Sequence, residues 1–186
     1  LSLAAESALR QLPPEAGKWG VKAWPVLDPI DRSKSGRVML QDAKQMLAKA
    51  GVTVSPIETK HFIIFADVPA EEITGWKREL ESMYMGLSDI FSLPDGSNIF
   101  WGKAVIFIHR EHDSFRLMEA AAFKQKVPPG TVGLCHCIGP RVFVNMHRDP
   151  DDRKFAAVLV HETVHGFMHR FISPQRLPTW ANEGFA

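Results

Sequence analysis

From about residue 57 onward, two hydrophobic periodicities alternate along this chain. Residues 60–66 (KHFIIFA) form a short run of aromatic and β-branched side chains that predicts a central strand, and residues 103–109 (KAVIFIH) predict a second. Between them Ile73, Trp76, Leu80, Met83, Tyr84, Leu87 and Phe91 recur mostly at spacings of three and four, the stripe of a helix reaching about Phe91. Pro69, Glu71 and Glu72 suit its first turn. The stripe reads as core packing, not as a cofactor site.

Beyond the second strand, His109-Arg110-Glu111-His112-Asp113 leads into a helix over 113–125, with Asp113 or Ser114 as its cap. Residues 127–130 are a break, and 131–138 and 141–146 then flank Gly139-Pro140 as a β-hairpin. Asp149, Asp151 and Asp152 put acids at the start of another helix, which continues to about Phe171 and ends at Ser173-Pro174. A last helix begins at Pro178 or Thr179. The elements predict an α+β fold, a small mixed or antiparallel sheet packed on helices.

Residues 1–56 stand apart as an N-terminal appendage to a domain over 57–186. Residues 2–12 predict a short helix ended by Pro13-Pro14, and 18–30 reads as irregular chain packed by its aromatics. Over 31–42, oxygen-bearing side chains fall at the first, third, fifth and twelfth places, with Gly36 sixth and Val38 eighth, as in an EF-hand-like calcium loop. Two serines stand where acids are usual, and Asp42 where a bidentate Glu is usual. A plain glycine turn before a helix at 41–50 is therefore preferred, with Gly51 just past its end.

Composition narrows the function classes. The 186 residues are 45% hydrophobic, enough for one good core. With 22 basic against 21 acidic residues, scattered and not banded, charge gives no case for nucleic acid. No apolar run approaches the roughly 18 residues of a membrane span. Ser2-Leu3-Ala4 fits the end of a cleaved signal sequence, and an ordinary helical start fits equally. Cys135 and Cys137 are the only cysteines, and a disulfide across one residue would be strained, so reduced core thiols are expected. Strand alternation sets both on one face and His136 on the other.

The chemistry concentrates at His161-Glu162-Thr163-Val164-His165. Four residues advance a helix by about 400° and roughly 6 Å, so both imidazoles leave one face, a turn apart, and can grip one Zn²⁺. Glu162 is then placed to take a proton from a metal-bound water. The plain alternative is a partly exposed helix face. Against it, Val158 to Val160, Val164, Phe167 and Met168 make the helix apolar on most sides, where unpaired imidazoles are costly. Glu183, early in the last helix, would complete a His₂Glu set with the fourth position left to water. His169 lies about 12 Å in rise from His161, too far to share the ion. His109 and His112 are expected in a solvated ion cluster at a strand end.

HETVH at 161–165 followed by LPTWANEGFA at 177–186 resembles the gluzincin metallopeptidases, in particular the compact peptidase MA-like group. The resemblance covers the chain from about residue 60 and is absent before it. It implies a zincin-type active-site helix, Zn²⁺ held by His161, His165 and Glu183, and Glu162 as general base for hydrolysis of a peptide or protein substrate. It also implies a secreted, periplasmic or cell-envelope setting. Measured against that group the domain reads as cut short at Ala186. The family's acidic buttress for a ligand histidine, and its downstream Tyr, His or Arg, are not among these residues. By the same resemblance the hairpin edge borders the cleft, where an extended peptide adds as a strand and His136 or Arg141 touches it. Two other functions remain open: a zinc-binding or scaffold module without catalysis, and a metal-free module whose histidines serve a helical interface.

Overall fold

A computed structural model describes residue 20 and residues 22–186. The helix expected over 2–12 and the Ser2–Ala4 signal-like residues lie outside them. The first helix, α1 (Pro29–Lys49), starts at Asp28, whose Oδ1 accepts the Asp31 N–H at 2.7 Å, with Pro29 in the first turn where no N–H is needed. Its buried positions Ser35, Met39, Ala43 and Leu47 are spaced by four, a narrow stripe along one side.

This helix takes in residues 31–42 whole. Neither the EF-hand-like loop nor the glycine turn exists, and the helix is not confined to 41–50. The reason is tertiary. Gly102, at φ +79°, crosses α1 so closely that a Cβ on it would lie 2.5 Å from the Gly36 nitrogen. The glycine that weakens α1 locally lies where this loop backbone comes closest.

The remaining elements are β1 (Pro56–Glu58), β2 (Phe62–Ala66), α2 (Ala70–Ile90), β3 (Ala104–His109), α3 (His112–Met118), β4 (Gly133–Ile138), β5 (Arg141–His147), α4 (Asp152–Arg170) and α5 (Thr179–Phe185). Helix α3 runs on into a π-helical turn, Glu119–Phe123, that ends at left-handed Lys124. The five strands form one mixed sheet in the order β1-β2-β3-β5-β4. The two outer pairs are antiparallel and β2, β3 and β5 run parallel. Parallel strands need both faces covered, which is why β2 and β3 read as continuous apolar runs. The short edge strand β1 has no counterpart in the predicted elements.

Strand alternation divides the core in two. Phe62, Ile64, Ala104, Ile106, Val142, Val144 and Met146 pack with Trp76, Leu80 and Tyr84 of α2 and Phe155, Leu159 and Phe167 of α4. Ile63, Phe65, Val105, Phe107 and Phe143 face Met39, Ala43 and Leu47 of α1 and Met118 of α3. Part of the 1–56 stretch thus builds one face of the sheet. Among the described residues no helix is long and apolar enough to cross a membrane.

Helix α4 is seated from both ends of its packing. Asp151 caps it, accepting the N–H groups of Arg153 and Lys154. Arg148 ties its start to α2 through Glu72 at 2.6 Å and also pairs with Asp152. Near the other end Gly166 presses on the sheet: a Cβ there would lie 2.4 Å from Val142 Cγ1. The missing side chain lets the histidine-bearing helix approach β4 and β5.

Candidate metal centre

His161 and His165 leave α4 one turn apart, and their Nε2 atoms stand 3.1 Å from each other. Helix α5 brings up Glu183, with Oε2 3.7 Å from His161 Nε2 and Oε1 3.8 Å from His165 Nε2. What holds α5 there is thin. Phe185 packs on Phe91 at 5.8 Å between ring centres, and Phe91 in turn meets Phe167 and Phe171 of the α4 end. No residue of α5 is fully buried, and Trp180 is 80% exposed. The chain reverses into this segment through Ile172, held at φ +62°.

The three side chains form the one grouping of metal-ligand type among the described residues, with one donor atom of each inside 4.8 Å of the others. Donor atoms around a tetrahedral zinc at about 2.1 Å stand about 3.4 Å apart, and the three separations fall on either side of that value. Two imidazole nitrogens and a carboxylate this close repel unless a proton or a cation lies between them. His165 Nδ1 is buried with no partner among the described residues. A proton on that atom leaves the Nε2 lone pair directed at the point of convergence. The donor set and spacing fit a zinc ion.

Glu162, next to His161, does not join the group. Its methylene chain lies against β4, where a Cβ on Gly133 would come within 3.1 Å of Glu162 Cγ. Burial pushes its carboxyl above the usual range, opposed by His165, His161 and the Cys135 backbone N–H. The carboxyl thus lies beside the His₂Glu grouping without belonging to it. The surrounding cleft, of about 770 Å³, is bordered by β4, the α4 histidines, residues 175–177 and α5.

The other expected contacts fall elsewhere. His136 sits on the α3 side of β4, its Nε2 2.9 Å from Glu119 Oε1 and its ring stacked on Phe123 at 3.7 Å, so it borders the cleft only across the strand edge. Arg141 is spent on α1, with Nη1 2.6 Å from Asp42 and the guanidinium over Trp101. Residue alternation turns His136 away from the α4 face, and packing of α1 on the sheet brings Asp42 to Arg141. His109 is buried, not solvated, and bonds Asn145 Oδ1 at 2.9 Å, while Arg110, Glu111 and His112 are exposed. His169 stays out of the ligand group, its Nε2 donating to Gly139 O at 2.8 Å. Sequence reading missed the two thiols as cleft groups: Cys135 is half-buried and Cys137 exposed, both lining the cleft. Their alternation in an edge strand was the available signal.

The fold and site define an α+β protein whose sheet edge borders a His₂Glu grouping on two neighbouring helices. Compared with known proteins, the chain matches no family model, no curated protein and no solved structure.

Proposed function

We propose that this chain is a zinc-dependent peptide-bond hydrolase, a gluzincin-like metallopeptidase. The observation that carries the reading is the convergence of His161, His165 and Glu183 with the carboxyl of Glu162 left free beside them. When bound, Zn²⁺ supplies Lewis-acid polarisation of a carbonyl oxygen and lowers the pKa of a water toward about 7. Glu162 removes the proton from the attacking water and returns it to the leaving amine.

Substrate is taken as an extended peptide along β4. That strand pairs with β5 on one side only, and its other edge lines the cleft, so its backbone groups, apart from the Cys135 N–H that meets Glu162, are available for one more strand. The test is metal content and turnover of an unstructured protein such as casein. Bound zinc with turnover, lowered about 10²–10⁴-fold in Glu162→Gln while zinc is retained, supports the reading. Zinc without turnover favours the non-catalytic zinc module, and a chain that binds no zinc sinks both.

A further inference from the structure

The cleft carries a second reactive group that peptide hydrolysis does not use. Cys135 and Cys137 project from the same face of β4, with their sulfurs 3.9 Å apart. His169 of α4 lines the same cleft as Cys137 and is fixed from several sides. Its Nε2 is held by Gly139 O, the Trp24 ring packs edge-on at 5.5 Å, and Trp24 Nε1 donates to its carbonyl at 3.0 Å. Cys137 is exposed on the cleft wall, whereas Cys135 is half-buried, its sulfur 3.6 Å from where a Gly166 Cβ would stand.

We propose that Cys137 and Cys135 form a hydroperoxide-reactive dithiol, with Cys137 attacking, His169 supplying the proton and Cys135 resolving the product to a disulfide. The Cys137 sulfur attacks one oxygen of a hydroperoxide. An S–O bond forms, the O–O bond breaks, and the departing alkoxide or hydroxide takes the proton of His169. Cys135 then attacks the sulfenic sulfur; the S–S bond forms, the S–O bond breaks, and hydroxide leaves with the Cys135 proton as water. Two thiols and one hydroperoxide give one disulfide, one alcohol or water, and one further water.

The surroundings divide the labour between the two sulfurs. Hydrogen bonding from Cys135, then from His169, pushes the Cys137 thiol down to about 5, while that same contact, burial and the nearby Glu162 push Cys135 up. A bond across one intervening residue of a strand is strained, which makes it one that small thiols reduce readily. This site needs no metal, so its test stands apart from that of the hydrolase.

The 186-residue chain is treated with equimolar hydrogen peroxide, alkylated, and weighed intact. The expected product is a monomer lighter by two hydrogens, with Cys135 and Cys137 both blocked to alkylation and both restored by dithiothreitol. In Cys135→Ser, dimedone should label Cys137; in Cys137→Ser, Cys135 should stay a thiol; and His169→Gln should slow the reaction about tenfold or more. Should Cys135→Ser not fold, the relative alkylation rates of the two thiols in the unaltered chain give the same answer, Cys137 being the faster. Two thiols that survive while free cysteine oxidises, a disulfide between chains, or Cys135 as the faster thiol would overturn the proposal.

Discussion

Two regions of this molecule use the same side chains, two histidines and a glutamate, in opposite ways. In the first, His109, Asn145, Glu119 and His136 form a buried chain across β3, β5, the π-helical turn after α3, and β4. His109 Nε2 meets Asn145 Oδ1 at 2.9 Å, Asn145 Nδ2 donates to Glu119 Oε1 at 2.7 Å, and that same oxygen meets His136 Nε2 at 2.9 Å. Each step is donor to acceptor, and of the atoms in this chain Glu119 Oε2 alone is left buried without a partner among the described residues. In the second, His161, His165 and Glu183 turn acceptors toward a common point at the cleft, with Glu183 about half exposed. Residue type does not separate a structural cluster from a ligand cluster. Whether the polar atoms complement each other or converge with like character does.

The effect that bears most directly on that contrast is on metal. Zinc should raise the Tm of the chain, by the equivalent of about 2.7 kcal/mol at a hundredfold excess over Kd, and His161→Ala should abolish the rise. A rise of equal size in His161→Ala places the ion elsewhere. Next, Glu119→Ala should destabilise the fold by about 2–4 kcal/mol, because it strips partners from His136 and Asn145 in the interior, whereas Glu183→Ala in metal-free protein should change stability by less than about 0.5 kcal/mol. Equal losses in urea unfolding would erase the distinction between the regions.

Smaller again, Gly166→Ala should cost about 1–3 kcal/mol despite alanine's better helix propensity, since the new methyl meets Val142 Cγ1 at 2.4 Å. An unchanged or raised stability would mean α4 is free to shift off the sheet. Last, burial lowers the pKa of His109 below 6.5, as it does for His61 and His147. Below about pH 6.5 the unfolded chain therefore binds protons that the folded chain refuses, so stability is fully present above that pH and declines as the medium acidifies. His169, held above its ordinary value, opposes this decline, so the check is made in His169→Gln, where a Tm that stays level from pH 7.5 to pH 5.5 would contradict these three burials.

Much of this was written in local pattern. The spacing of His161 and His165 brings their rings together in any helix, because one turn is close to four residues. The apolar runs at β2 and β3 mark strands covered on both faces, and the stripe from Ile73 to Leu87 marks α2, since burial selects side chains at each element's own period. Other features depended on partners distant in sequence. Ser33, Ser35 and Gly36 argue against a helix, yet α1 runs through them, because Met39, Ala43 and Leu47 bury on the sheet and Gly102 packs at Gly36. Arg141 was committed to Asp42, 99 residues away, and His136 to Glu119 in a π-helical turn. Glu183 meets the histidines where Phe185 seats on Phe91 and Ala186 packs against the core. Sequence alone determined which atoms lie close along one element. Which atoms from separate elements meet, and whether a thiol or a histidine faces the core or the cleft, was decided by packing, since those energies belong to residues that are neighbours only in the folded chain.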